Sequence, residues 1–336
     1  MKIKNFDIKK KIFIIAEIGN NHEGNLKVAK KLINLAAKAG VDAVKFQTFK
    51  TEEFVHKSNK KRFKQLKNFE LSFDEFKILK NVAHKKKLKF ISTPLDLKSA
   101  KFLIKNADAI KIASGDNNFF PMIHEVIKGK KPIIISTGMT NFEDIQNLLK
   151  IISKNFKKKR MIKNIALLHC VTSYPVEFKY ANINSIPYLI NKLDLPIGYS
   201  DHTLGLEACL GAVALGARII EKHFTIDKKF SKFRDHALSS DYLELKALVT
   251  SVRKMEKLKG NFEKIIQPPE KKLIKLVRRG LYSRITIKTN DRISLSNSIF
   301  LRPTKSNDFL ELKEYIGKKT KKNIKKNQRI NKLNLY

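Results

Sequence analysis

Glu17, Lys45, Gln47, Thr93, Lys111, Ser114, Ser136, Thr137, His169, Ser200, His202, Glu221 and His223 each lie at or just after the end of a short run of β-branched or apolar residues. Lys45 and Gln47, Ser200 and His202, and Glu221 and His223 are spaced two apart, so in a strand each pair projects from one face. Burying so many polar groups costs several kcal/mol apiece unless partners satisfy them, and use at one shared pocket is the simplest source of partners. Two lysines among hydroxyls suit a phosphate together with a carboxylate. Two histidines from neighbouring strands could hold one divalent cation and leave positions open for a substrate oxygen and water, although they lack the tight spacing of a helical metal motif. Glu17 could stabilise positive charge or steer a water.

The elements that must position these residues repeat. Strand-like runs at Ile12–Ile18, Ala43–Gln47, Lys89–Ser92, Ala109–Ala113, Pro132–Ser136, Ile165–His169, Ile197–Ser200 and Ala217–His223 alternate with amphipathic stretches. Those stretches are Leu26–Ala39, Ser72–Lys87, Leu97–Asn106, Phe120–Lys128, Phe142–Lys154, Ile183–Lys192, Gly205–Leu215 and Tyr242–Lys257. Eight strand–helix units in about 260 residues have the count and size of an α/β (β/α)8 TIM barrel, whose chemistry sits at the C-terminal ends of the strands. A doubly wound sheet would more often carry a glycine-rich phosphate loop after its first strand, and none is present. Asn25 suits an N-cap, Gly40 a left-handed C-cap, and Glu143 and Asp144 fall in the first turn after Asn141.

Beyond the last helical stretch the rhythm changes. The expected division is a catalytic barrel over 1–258, a linker over 259–277 containing Pro268–Pro269, and a small β-rich module over 278–336 with turn signals such as Thr289–Asn290–Asp291. With 42% hydrophobic residues the chain can bury a large core. No apolar stretch approaches the roughly 18 residues of a membrane span, and the run Ile12–Ala16, ended by Glu17, reads as a strand rather than a signal peptide. Cys170 and Cys209 are too few for a disulfide framework, which fits a cytoplasmic protein. The net charge of +39 comes from 70 Lys+Arg against 31 Asp+Glu. Its lysines are spread along the chain, densest over Lys318–Lys332, without the interleaved aromatics of a nucleic-acid stacking platform. A solvated basic surface that attracts anionic substrates is the better reading than specific nucleic-acid binding.

The motifs resemble the sialic acid synthase family across nearly the whole chain. They are Ala16-Glu-Ile-Gly-Asn-Asn-His-Glu-Gly24, Val44-Lys-Phe-Gln-Thr48, Ser92-Thr-Pro94, Lys111-Ile-Ala-Ser-Gly115 and Ser136-Thr-Gly-Met139. Leu168-His-Cys170 through Tyr174-Pro175, Gly198-Tyr-Ser-Asp-His-Thr203 and Ile220-Glu-Lys-His-Phe-Thr225 follow. Arg278-Arg279 and Leu301-Arg-Pro303 fall in the tail, which is similar to the antifreeze-like domain that ends these enzymes. The resemblance implies condensation of phosphoenolpyruvate with an N-acylated hexosamine, giving a nine-carbon acidic sugar for a cell-surface polysaccharide. It implies Glu17, Lys45, Lys111 and Glu221 as the catalytic set, with Lys45, Thr93, Lys111, Ser114, Ser136 and Ser200 touching phosphoenolpyruvate. His202 and His223 would ligate Mn²⁺ or Mg²⁺. Gln47, Asp116, Thr172, Tyr174 and Asp235 would lie on the sugar side, and Arg302 would reach the mouth of the other subunit in a domain-swapped homodimer. Asp116 stands where many members have Glu, Thr172 where many have Asn, and Phe233-Arg234 where Gly-Pro often precedes the Asp-His pair. A related barrel that condenses phosphoenolpyruvate with a sugar phosphate to a 3-deoxy-2-ulosonate is the neighbouring alternative, and the tail weighs against it.

Overall fold

The computed structural model describes residues 1–154, 164–304 and 311–336. They form two compact units, Met1–Gly260 and Asn261–Tyr336. The first opens with an antiparallel hairpin, β1 (Lys2–Ile3) and β2 (Phe6–Asp7). Eight parallel strands follow: β3 (Phe13–Gly19), β4 (Ala43–Thr48), β5 (Lys89–Pro94), β6 (Ala109–Ile112), β7 (Ile133–Ser136), β8 (Ile165–Cys170), β9 (Ile197–Asp201) and β10 (Ile219–His223). They pair in chain order, and β10 closes on β3. This is the TIM barrel expected from the eight runs.

Side-chain alternation sorts each strand between two cores. Phe13, Ile15, Ala43, Ile91, Ala109, Ile134, Ala166, Leu168 and Ile219 fill the lower barrel interior. Met1, Ile3 and Ile8 join that cluster, so the hairpin plugs the N-terminal end of the barrel, a role the sequence reading did not assign it. The alternate residues, including Ile14, Val44, Phe90, Ile110, Ile135 and Ile220, face a ring of helices.

Those helices are α1 (Leu26–Ala39), α2 (Thr51–Phe54), α3 (Lys60–Phe69), α4 (Phe73–Lys85), α5 (Leu97–Asn106), α6 (Phe120–Lys128), α7 (Phe142–Lys154), α8 (Ser185–Lys192), α9 (Glu207–Ala214), α10 (Arg234–Leu238) and α11 (Tyr242–Lys259). Local chemistry sets several ends. Asn25 caps α1 through bonds from the amides of Lys27 and Val28, and Gly40 closes it at φ 90°. Ser72 and Glu75 form a capping box on α4, as Asp241 and Glu244 do on α11.

In the second unit α12 (Pro268–Val277) occupies the latter part of the segment expected to be linker. Proline at its start and the reciprocal Gln267–Glu270 cap explain why a helix begins there. β11 (Gly280–Ser283) and β12 (Ser298–Leu301) pair antiparallel over Leu281, Ile287, Ile293, Tyr315, Ile324, Ile330 and Leu335. The turn expected at Thr289–Asn290–Asp291 is present, with Asn290 at φ 69°. Among the described residues no helix is long and apolar enough to cross a membrane.

Candidate active site at the barrel mouth

The same alternation that puts Ile15 and Ile219 in the lower interior brings Glu17 and Glu221 to the layer above. Ile15 and Glu17, Ala43, Lys45 and Gln47, Ile91 and Thr93, and Ala109 and Lys111 alternate along their strands onto one inner face. Ile134 and Ser136, Leu168 and Cys170, and Ser200 and His202 do the same, as do Ile219, Glu221 and His223. Register completes the assembly, since Glu17 pairs with Lys45 on one side and His223 on the other, Gln47 with Thr93, and Glu221 with Ser200. The polar ends line one cavity of about 200 Å³, together with Asn20, Arg62, Ser114, Thr172, Tyr174, Phe233, Arg234 and Asp235. Gly198 takes an inner position on β9 because a Cβ there would sit 2.6 Å from the Leu168 Cδ2 and the Ile219 carbonyl oxygen.

Four buried charges hold the floor. Lys45 Nζ lies 2.9 Å from Glu17 Oε2 and 3.6 Å from Glu221 Oε1, and Lys111 Nζ lies 4.0 Å from the same Glu221 oxygen. Lys111 also donates to Ser136 Oγ at 2.5 Å, Ser200 Oγ donates to Glu221 Oε1 at 2.9 Å, and Lys45 reaches Thr93 Oγ1 at 3.4 Å. The two carboxyls titrate apart. Burial, opposed by Lys45 and reinforced by Glu221, raises Glu17 to about 7. Burial also acts to raise Glu221, but Lys45, Lys111 and the Ser200 hydroxyl outweigh it and hold Glu221 below the usual carboxylate range. Paired acids with opposite shifts mark an acid–base division of labour. Burial pulls Lys111 down, whereas for Lys45 the two glutamates overcome burial and raise it.

His202 and His223 stand side by side with ring centroids 5.4 Å apart. His202 Nδ1 lies 2.8 Å from the Val171 carbonyl, which can only accept, so this nitrogen carries a proton and Nε2 is the ring atom left to meet a ligand. Burial acts to lower His202, but Cys170, the Val171 carbonyl and Glu221 outweigh it and hold the ring above the ordinary histidine range. Burial, then the neighbouring His202, hold His223 well below the ordinary histidine range, and its buried Nδ1 has no hydrogen-bond partner among the described residues. Two imidazole rings side by side, one held neutral and both near Glu221, fit a divalent cation, which would displace any proton from the coordinating nitrogen of His202. Among the described residues no group of three or more His, Cys, Asp or Glu side chains is gathered around one such point, so further donors would have to be substrate and water oxygens.

Not every strand-end residue faces the cavity. His169 has the opposite parity, bonds the Ala181 carbonyl through Nε2 at 2.9 Å and stacks on Tyr199, while its neighbour Cys170 faces the mouth. Thr137 spends its hydroxyl on the Leu168 carbonyl. Asp116 sits on the turn after β6, outside the cavity lining, with its carboxyl raised to about 6 by burial against the opposing pull of Lys111. Arg302 belongs to the second unit and is exposed there. Ser114 is held by the Gly138 amide at 3.0 Å, and a Cβ on Gly138 would strike both Ser114 and Thr172. Gln47 accepts from Asn20 Nδ2 at 2.8 Å.

Arg62 and the pair Asp201–Lys222 escaped the sequence reading. Arg62 comes from α3, in the stretch between Thr48 and Phe73 that carries no strand signal. Asp201 and Lys222 point outward behind the histidines and meet at 2.6 Å, both essentially inaccessible. Alternation could have found them, because a charge on the helix-facing side of a central strand needs a partner.

Residues 32–264 match the NeuB family model. The chain is 43% identical over 310 residues to an uncharacterized protein of Methanocaldococcus jannaschii, covering 92% of this chain and 90% of that one. It is 39% identical over 335 residues to the N,N'-diacetyllegionaminic acid synthase of Campylobacter jejuni, covering 96% of this chain and 99% of the relative. Among solved structures, the N-acetylneuraminic acid synthetase of Leptospira borgpetersenii superposes with a TM-score of 0.76 at 35% identity, covering 82% of this chain and 94% of that one. With the barrel, the polar mouth and a family match spanning most of the barrel, the chain belongs to the NeuB family.

Proposed function

We propose that this protein is a transferase that condenses phosphoenolpyruvate with an open-chain N-acylated hexosamine, forming a carbon–carbon bond and releasing phosphate. The observation that carries the reading is the floor of the mouth, where Lys45 and Lys111 are buried among hydroxyls beside two histidines. Lys45, Lys111, Thr93, Ser114, Ser136 and Ser200 bind the phosphate and carboxylate of phosphoenolpyruvate, where desolvation strengthens each contact. The C3 carbon of phosphoenolpyruvate attacks the sugar aldehyde, whose oxygen takes up a proton as it becomes a hydroxyl. Water then adds to the resulting oxocarbenium at C2, and phosphate leaves with cleavage of its C–O bond. Glu17 stabilises that cation and takes the proton of the incoming water, a task suited to a carboxyl near pH 7. Glu221 stays ionised and orients both lysines. Gln47, Thr172, Tyr174 and Asp235 contact the sugar, and Asp116 acts from the edge of that half. His202 and His223 would hold Mn²⁺ or Mg²⁺, which supplies polarisation of the aldehyde when bound.

The near-full-length likeness to a relative named for a diacetylated product supports a 2,4-diacetamido sugar over a monoacetamido one. The second unit serves as an antifreeze-like domain over roughly 278–336, following a linker over 259–277, and delivers Arg302 to the partner's mouth in a domain-swapped dimer. Purified protein with Mn²⁺, phosphoenolpyruvate and a panel of 2-acetamido and 2,4-diacetamido hexoses should release phosphate. No release with any sugar of the panel would refute the reading.

A further inference from the structure

The rim of the mouth carries Arg62, Phe233 and Arg234, to which the condensation as proposed gives no role, beside the sugar-side residues Tyr174 and Asp235. Arg62 and Arg234 both line the cavity, above the floor formed by the two lysines and two glutamates. Arg62 is held from behind by Gln65, with Nη1 2.9 Å from Oε1, and interacts electrostatically with both Asp235 and Arg234. The Arg234 guanidinium lies 5.3 Å above the Tyr174 ring and 3.4 Å from Asp235 Oδ1. Phe233, packed edge-on against Phe69 with centroids 5.0 Å apart, adds an aromatic wall at the same rim.

The backbone that presents Phe233, Arg234 and Asp235 is pinned. Buried His236 meets Glu23 Oε1 at 2.9 Å and Thr225 Oγ1 at 2.6 Å through its two ring nitrogens. Ser239 Oγ donates to the Asp235 carbonyl at 2.5 Å, and the Phe233 amide donates to Ser231 Oγ at 2.9 Å. A backbone fixed in this way lowers the ordering cost of binding at the rim.

We propose that Arg62, Arg234 and Asp235, with Phe233 and Tyr174, form a subsite for a second N-acyl group of the sugar, remote from the reacting aldehyde. This inference rests on the proposed condensation. An acylamino group needs a donor for its carbonyl, an acceptor for its N–H and an apolar surface for its methyl, and the rim holds guanidinium, carboxylate and aromatic faces together. A phosphate on the sugar would use the arginines but would be repelled by Asp235 and would leave the aromatic wall unused. A group far along the open chain from the aldehyde points toward the rim, because the aldehyde end is fixed at the floor.

The test compares kcat/KM for a 2,4-diacetamido-trideoxyhexose with that for its 2-acetamido-4-hydroxy counterpart, in wild type and in Arg62→Ala, Arg234→Ala and Arg234→Lys. Loss of a charged hydrogen bond is worth about tenfold or more. The preference for the diacetamido sugar should therefore fall at least tenfold in each alanine variant and be partly restored by Arg234→Lys. Equal losses on both sugars, or an unaltered preference, would overturn the subsite. So would a wild type that prefers a sugar phosphate and loses that preference in the alanine variants. Calorimetric titration of each sugar onto the phosphoenolpyruvate-loaded protein keeps the two readings separate. Tight diacetamido binding that weakens in the variants supports the subsite even if no phosphate is released, whereas turnover without discrimination between the sugars removes the subsite and leaves the condensation standing.

Discussion

His202 and His223 are held differently, and the difference bears on what each contributes. The ring of His202 is oriented by the Val171 carbonyl, whereas His223 is kept neutral by burial and by its neighbour and has a buried nitrogen without a partner among the described residues. His202→Ala or His223→Ala should remove Mn²⁺-dependent phosphate release by at least about a hundredfold while preserving the unfolding transition. Electron paramagnetic resonance titration of Mn²⁺ reports binding separately, and a variant that keeps both affinity and turnover would refute the assignment. Glu17 yields a pH expectation of definite sign. Its carboxyl, raised to about 7 by burial against Lys45, must be ionised to take a proton. The rate should therefore fall as pH drops below about 7, and Glu17→Gln should lose that acid limb along with roughly 10²–10⁴ in kcat. A limb that persists in Glu17→Gln would move the base to another residue. At this scale most of the floor was legible because each residue there sits at a strand end with inward parity. His169 was misplaced by counting strand-end polarity without parity, and Arg62 was invisible because only the tertiary fold brings α3 to the rim.

Strand parity also writes a support behind the site. Between Ser200 and His202 on β9, and between Glu221 and His223 on β10, Asp201 and Lys222 face outward and are register partners. Lys222 Nζ reaches Asp201 Oδ2 at 2.6 Å and the Thr203 carbonyl at 2.5 Å, so one buried ion pair ties together the two strands that present both histidines. Removing one member leaves the other charge buried and unpaired. Lys222→Met should cost about 3–5 kcal/mol in denaturant unfolding, and adding Asp201→Asn should recover part of that. If the single variant costs less than about 1 kcal/mol, the pair is not holding the strands. Strand and helix positions were readable to within one or two residues because period-2 apolar runs and caps such as Asn25 and Ser72 are local signals. The elements that escaped are short or weakly patterned. The hairpin β1–β2 has two-residue strands, and α3 is lysine-rich, with Leu66 and Phe69 its buried residues. In α12 the cap, rather than core burial, accounts for the helix: it buries none of its residues, although proline usually reads as a breaker.

At the scale of the whole chain, two compact units divide near Gly260, close to the expected end of the barrel at 258. The described residues that line the mouth belong to the first unit, and Arg302 belongs to the second, where it is exposed. A barrel that needs a guanidinium from elsewhere must receive it from its own second unit or from that of another copy, and activity alone cannot separate these routes. Complementation can. In the dimer proposed above, Arg302→Ala should lower turnover, and a barrel-dead variant such as His223→Ala should have none. If Arg302 acts across the dimer, a mixed dimer holds one intact barrel, that of the Arg302→Ala chain, served by the intact Arg302 of the His223→Ala chain. Co-refolding the two variants at equal ratio should then restore about a quarter of wild-type turnover, from one working site in half of the dimers. If Arg302 serves its own barrel, every chain in the mixture carries one defect, and turnover should stay at the sum of the two parents. The subunit exchange itself can be followed by differently tagged chains, so that failure to mix is distinguished from failure to complement.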